Sequence, residues 1–434
     1  MNGECNSDNL DLSQEQRMQI VQNLQAQIKL AKAKSVYMAN LSALEKNYAL
    51  ELIERELRES VNFLVDANQK DLQNPDNADL SPALKDRLML NSERVMSIAN
   101  AVRKLINIKD PVNEILDGWQ HPKGMQITKI RVPIGVVGII YEARPNVTVD
   151  AIALAIKSGN AAVLRGSRQA WHTNLAIMQV IERALEQTSV PFQAIQYLKD
   201  QSREGCKVLL KASNEIDLVI PRGSESLNQF VLENATVPVM GAGGGLCHTY
   251  IDQDADIEKA VAVVVNAKVQ RPSVCNSCES ILVHEDIAED VLGSLIQALI
   301  KNDVEIFADT KIIKEFPFLK EANEKNYQTE YLDLKVSLKT VANIEEAVEH
   351  INAHSTGHSE AIITEDIQSA EFFKKMIQSA CVYVNVSTRF TDGEEFGYGA
   401  EMGISTGKLH ARGPIGLKEL CTYKFLIDGD GQTK

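Results

Sequence analysis

TKIRVPIGVVGIIY, residues 128–141, is dense in β-branched residues and ends in an apolar run suited to a strand buried on both faces of a parallel sheet. Beyond it the pattern alternates. Residues 147–158 read as a helix, 161–164 as a strand, and Leu175, Met178, Ile181 and Leu185 mark one face of a further helix. Short strands are expected at 217–220 and 238–240, each leading to glycine, with a helix at 225–233 between them. This βαβ alternation predicts an α/β fold with a doubly wound, Rossmann-type sheet.

Upstream, from Ser13 to about Ile108, Leu, Ala, Gln, Glu and Lys recur at helical spacing, and the spacing predicts three long helices broken around residues 75–82. Beyond the glycine-rich run 241–245 a second α/β unit is expected, with helices at 257–270 and 287–300 around a strand at 280–283. The charged, irregular stretch 314–335 reads as a surface insertion, and 422–427 as a final strand. The expected division is a cofactor domain of residues 1–253, joined by 413–434, and a catalytic domain of residues 254–412.

A chain of 434 residues exceeds one ordinary core, since a domain takes about 100–200 residues. Hydrophobic residues at 44% and charged residues at 24% match a soluble globule. The net charge of -14 argues against a phosphate-backbone footprint, so no nucleic-acid partner is expected, although local arginines can still hold small anions. Met1 to Gln16 is polar, without the basic start and apolar run of a secretion signal, and no membrane span is evident. Seven scattered cysteines, an odd number, point to a reducing, cytosolic setting.

One of them stands out by context. In VCNSCES, residues 274–280, Cys275 lies where a loop leads from a helix into an apolar strand, which makes it the candidate nucleophile. A free thiol with a pKa of about 8.5 is only partly ionised at neutral pH, and oriented amides or the nearby Arg271 would raise the thiolate fraction. The plain alternative is a packing thiol. Cys275 and Cys278 also form a CxxC, open to a redox reading or to a zinc site with Cys247 and His248.

The strings VPIGVVGIIYEARPNVTVDA from Val132, GNAAVLRGS from Gly159, VIPRGSES from Val219, CHTYID from Cys247, VCN from Val274 and FGYGAEMGISTGKLHARGPIGL from Phe396 span nearly the whole chain. Through them the chain resembles the gamma-glutamyl phosphate reductases, or glutamate-5-semialdehyde dehydrogenases, within the aldehyde dehydrogenase superfamily. The resemblance implies an aldehyde dehydrogenase-like fold with a Rossmann-type cofactor domain, an α/β catalytic domain and a small oligomerisation element. Counting back from the Asp254-Ala255-Asp256 turn aligns Gly244 and Gly245 with the superfamily's glycine pair. The same register puts Ala242 where hydrolytic relatives carry a glutamate base.

A reductase that works through a thioester must keep water away, so the missing base fits. The implied reaction is reduction of L-glutamate 5-phosphate to L-glutamate 5-semialdehyde by NADPH, the second step of proline biosynthesis from glutamate. Cys275 attacks the acyl phosphate, and backbone amides with the Asn146 side chain are the expected oxyanion donors. Asn146 is equally open to a helix-capping reading. For the cofactor, Arg165 matches the ribose-binding lysine, with Gly166 and Ser167 beside it. Arg168 departs from the family's usual serine and would attract the 2′-phosphate of NADPH. Gly223 and Ser224 match a turn at a helix start that can hold pyrophosphate. Glu330 matches the glutamate that positions the nicotinamide ribose.

Arg144, Arg389, His410 and Arg412 are the candidates for substrate phosphate and carboxylate, each with a surface ion pair as its alternative. His248 and His358 are expected to be buried, hydrogen-bonded histidines without a catalytic part. Two other functions compete: a coenzyme A-dependent acylating aldehyde dehydrogenase, and a non-catalytic partner of glutamate 5-kinase. The resemblance further implies a homodimer, joined through residues 125–131 and the terminal strand, and substrate transfer from a separate glutamate 5-kinase.

Overall fold

Pro133 and Gly135 divide the stretch 128–141 into two strands, Gln126–Pro133 and Val136–Tyr141, which join different sheets. Proline ends the first, because it has no N–H with which to continue a ladder. Gly135 turns the chain at φ +131°, and a Cβ there would lie 2.3 Å from Asp217 Oδ2. The Asp217 carboxylate accepts the Val136 N–H at 2.8 Å and the Lys32 ammonium at 2.9 Å, while Asn160 Oδ1 accepts the Gly135 N–H at 2.8 Å. The single strand expected here is therefore two, with a polar-anchored turn between them.

The computed structural model describes residues 13–241 and 243–434, which form two units. The first runs to Gly241 and takes in Tyr398–Gly403 and Ile415–Lys434; the second continues to Gly397 and takes in Ile404–Pro414. The division falls at Gly241 and not after residue 253, because the strand Cys247–Ile251 pairs in parallel with Cys278–His284 and Ser359–Ile363 of the second unit.

In the first unit four parallel strands lie in the order Ile195–Tyr197, Ala161–Arg165, Val136–Tyr141, Leu218–Arg222. Strand order reverses beside Val136–Tyr141, and in such sheets ligands bind at the carboxyl ends of the strands flanking the reversal. The strand Ile195–Tyr197 and the helix Arg203–Lys211 were not foreseen, while the strand expected at 238–240 is only a bridge between Val219 and Val239. The helical region holds five α-helices, not three: Gln14–Ala39, Ala43–Glu59, Val61–Leu72, Pro82–Leu88 and Ser92–Ile106. Ser42 ends the first continuity, since its side chain caps the Glu45 N–H and the Glu45 carboxylate returns to the Ser42 N–H at 2.8 Å. A three-stranded antiparallel sheet, Ile115–Gln120, Gln126–Pro133 and Cys421–Asp428, completes this unit, its outer strand Ile115–Gln120 exposed along its whole length.

In the second unit seven parallel strands lie in the order Lys320–Glu321, Glu305–Ala308, Lys335–Val341, Cys278–His284, Cys247–Ile251, Ser359–Ile363, Cys381–Val384. Cys278–His284, Cys247–Ile251 and Ser359–Ile363 are buried at every position, as central strands covered on both faces must be. Because all seven run the same way, the loops entering their amino ends share one edge, and Gly245, Cys275, Glu330 and His358 lie on such loops. The stretch expected as an irregular insertion contains the edge strand Lys320–Glu321 and the short helix Glu324–Tyr327.

Candidate active site

The cofactor candidates of the first unit gather at the carboxyl ends of its parallel strands. Arg165 closes the strand Ala161–Arg165, and its Nη2 donates to the carbonyls of Gln201 and Ser202 at 2.9 and 3.0 Å. Arg165 Nε and Ser167 Oγ are buried without a hydrogen-bond partner, which leaves two polar atoms able to meet a polar ligand. Gly166 admits no side chain, since a Cβ would lie 2.4 Å from Asn174 Nδ2. Arg168 opens a 3-10 turn and is exposed.

Gly223 and Ser224 follow the strand Leu218–Arg222, and Ser224 caps the helix Glu225–Asn234 through the Leu227 N–H. The Ser224 N–H and hydroxyl both donate to the Glu142 carboxylate, at 2.8 and 2.6 Å. The turn expected to hold pyrophosphate through these groups thus carries an acidic side chain of the chain itself, which the sequence pattern did not foretell. Asn146 is exposed in the first turn of the helix Pro145–Ser158, and its Nδ2 donates to Asp150 Oδ2 at 3.0 Å. It is not the cap of that helix: Arg144 holds the cap position, with Pro145 next. Burial pushes the Asp150 carboxyl up to about 6.

In the second unit Cys275 is partly exposed, whereas Cys247, Cys278 and Cys381 are buried, as are Cys206 and Cys421 of the first unit. Burial pushes the Cys278 thiol up to about 11 and holds that of Cys247 well above its ordinary value. Neither supplies thiolate near neutral pH. The residue after Cys275 is fastened on three sides. Asn276 Nδ2 donates to the carbonyls of Thr391 and Arg389 at 2.8 and 3.3 Å, its Oδ1 accepts from Arg389 Nη1, and its carbonyl accepts the Thr388 hydroxyl at 2.8 Å. Arg389 Nε also donates to Gln270 Oε1 at 2.9 Å. Burial, and then the charge of Arg271, lower the Arg389 pKa.

Glu330, expected as a cofactor ligand, accepts the Gly245 N–H at 2.7 Å. Cys247, expected as a packing thiol or, with the CxxC and His248, as a zinc ligand, donates to the Cys275 carbonyl at 3.2 Å. Its neighbour His248 holds Nδ1 3.0 Å from Glu360 Oε2. His358 is buried, with Nδ1 2.8 Å from Ser359 Oγ. His410 is exposed in a left-handed conformation at φ 64°, and Arg412 is exposed with Nη2 on the Gln378 carbonyl, so neither is drawn into the Cys275 loop by these contacts. Ala242 lies outside the described residues. Gln270 and Glu142 were not expected, because each acts through a partner distant in the chain.

Comparison with known proteins places this geometry. The sequence pattern of the aldehyde dehydrogenase family matches residues 22–312 and 335–425, leaving unmatched the segment that carries Glu330. The chain is 48% identical over 408 residues to gamma-glutamyl phosphate reductase of a Nitratiruptor species, covering 94% of this chain and 99% of that one. Against the protein of the same name from Francisella philomiragia it is 47% identical over 402 residues, covering 93% and 97%. The crystal structure of gamma-glutamyl phosphate reductase from Thermotoga maritima superposes with a TM-score of 0.92 at 43% identity, covering 95% of this chain and 99% of that one. On sequence and fold together, the chain belongs to the aldehyde dehydrogenase family, on its gamma-glutamyl phosphate reductase branch.

Proposed function

We propose that this enzyme reduces L-glutamate 5-phosphate to L-glutamate 5-semialdehyde with NADPH, releasing inorganic phosphate. The observation that carries the proposal is Cys275: among the described cysteines it alone is not buried, and its loop is fixed by Asn276, Thr388 and Arg389. Its thiolate attacks the acyl carbon, a sulfur–carbon bond forms, and phosphate leaves with the electrons of the broken carbon–oxygen bond. Backbone amides of the loop and the Asn146 amide steady the negative oxygen of the addition step. Arg389, with Arg144, His410 and Arg412, supplies cations for the phosphate and carboxylate of the substrate. With alanine at 242 in place of a carboxylate base, nothing on that residue activates water against the thioester.

Arg165, Gly166, Ser167 and Arg168 would hold the adenosine end of the cofactor, the orphaned Arg165 Nε and Ser167 Oγ being the atoms that fit a polar group, and Arg168 favouring a 2′-phosphate. NADPH, when bound, supplies the hydride that converts the thioester carbon to the aldehyde level. Collapse then breaks the sulfur–carbon bond and returns the Cys275 thiolate. For the chain's own assembly, the exposed apolar residues of the sheet that carries Cys421–Asp428 are proposed to pair two copies.

The test runs the reaction backwards. Purified protein is expected to oxidise glutamate 5-semialdehyde with NADP only when inorganic phosphate is present, and Cys275→Ala to lose at least about a thousandfold in rate. Oxidation that needs coenzyme A and ignores phosphate would instead make the chain an acylating aldehyde dehydrogenase.

A further inference from the structure

The Cys275 carbonyl is held from two sides. Gly245 lies flat against it: a Cβ on that glycine would fall 1.5 Å from the Cys275 oxygen and 2.7 Å from its Cα. From the strand Cys247–Ile251, Cys247 donates its thiol proton to the same oxygen, with Sγ 3.2 Å away. Burial keeps that thiol protonated, as a donor must be. Gly245 is itself pinned at both ends. Its N–H donates to Glu330 Oε1 at 2.7 Å, and its carbonyl accepts the Cys247 N–H at 2.9 Å. A Cβ on Gly244 would meet Glu330 Oε2 at 2.8 Å, so the carboxylate covers both glycines.

A peptide unit is planar and trans, so its C=O and N–H point in opposite directions. Fixing the Cys275 oxygen against Gly245 and Cys247 therefore aims the Asn276 N–H the other way. The Asn276 side chain and carbonyl, held by Thr391, Arg389 and Thr388, prevent the plane from rotating. An amide donor one bond from the nucleophile's own residue is suited to the oxygen that gains charge as sulfur adds to a carbonyl.

We infer that Glu330 is a positioning residue for Cys275, fixing the Cys275–Asn276 peptide through Gly245, and that Cys247 fixes the same peptide from the strand side. This rests on Cys275 being the nucleophile. It gives Glu330 work in the enzyme without cofactor, separate from any contact with a ribose. The carboxylate needs only to accept a hydrogen bond, so an amide oxygen at the same place serves as well.

The measurement is the burst of p-nitrophenolate from p-nitrophenyl acetate in cofactor-free enzyme, in which the Cys275 sulfur–acyl bond forms and the ester carbon–oxygen bond breaks. Glu330→Ala is expected to slow the burst about 10- to 100-fold, and Glu330→Gln to stay within about threefold of the parent, given the size of a single oxyanion donor's contribution. Cys247→Ala and Cys247→Ser should divide in the same way, which covers the case of an unfolded Glu330→Ala. Alkylation of Cys275 by iodoacetamide builds no oxyanion and should change little in any of the four. A Glu330→Ala burst equal to the parent's, a Glu330→Gln burst as slow as that of Ala, or equal slowing of burst and alkylation, overturns the inference. A burst that survives Cys275→Ala overturns the nucleophile assignment instead.

Discussion

Two cysteines three positions apart in the chain have opposite fates, and the difference is position in the strand. Cys278 opens the buried strand Cys278–His284, where its thiol is pushed up to about 11 by burial, while Cys275 sits partly exposed in the entering loop. Cys278→Ala is expected to retain the phosphate-dependent activity that Cys275→Ala abolishes, as steady-state rates would show; loss of activity in both would point to a working dithiol. At this scale candidates could be named from the sequence, but not their contacts. Cys275 was a candidate because it lies where a loop enters an apolar strand, a context also open to a packing thiol, whereas Arg165 was marked only by its match to the superfamily's ribose-binding lysine. Glu142 on Ser224 and Glu330 on Gly245 were not legible, because each is a carboxylate meeting a backbone N–H far away in sequence. Such pairings leave no periodic trace.

Among the elements, the helix Ile257–Val269 and the strand Cys278–His284 are joined by a buried ion pair, Lys268 Nζ to Glu279 Oε2 at 2.7 Å, with both side chains fully covered. Burial still raises the Glu279 carboxyl from 4.5 to about 7. Lys268→Met would leave that carboxylate alone in the interior, at a cost of about 3–5 kcal/mol. An acid whose folded pKa is raised contributes stability that is fully present below its unfolded pKa and fades as pH climbs through the folded one. The variant's melting temperature should therefore fall further below the parent's at about pH 8.5 than at about pH 6. A deficit that does not change with pH would mean that Glu279 carries the same charge in variant and parent across this range. The alternation of strands and helices could be read from residue patterning, since burial on two faces writes continuous apolar runs. The turn at Gly135, the exposed strand Ile115–Gln120 and the three-residue edge strand Ile195–Tyr197 could not, being set by Asp217 and by the strands they pair with.

For the molecule as a whole, the fold class was legible and the boundary between units was not, because a glycine-rich run marks a loop without saying which sheet the next strand joins. Tyr423, Phe425 and Ile427 alternate along the terminal strand and are 51%, 48% and 60% exposed, an apolar row on a sheet that nothing in the first unit covers fully. Sedimentation should give a mass of about twice the chain's 48.0 kDa, and Tyr423→Asp combined with Phe425→Asp should shift it to the monomer. A monomeric parent would refute the dimer without touching the chemistry. The chemistry stands or falls on where the acyl group resides. Intact-mass and peptide-mass spectrometry of enzyme mixed with freshly generated glutamyl phosphate, without cofactor, should find one glutamyl group per chain, on Cys275 and absent from Cys275→Ala; the same adduct on another residue, or its persistence in that variant, would contradict the account.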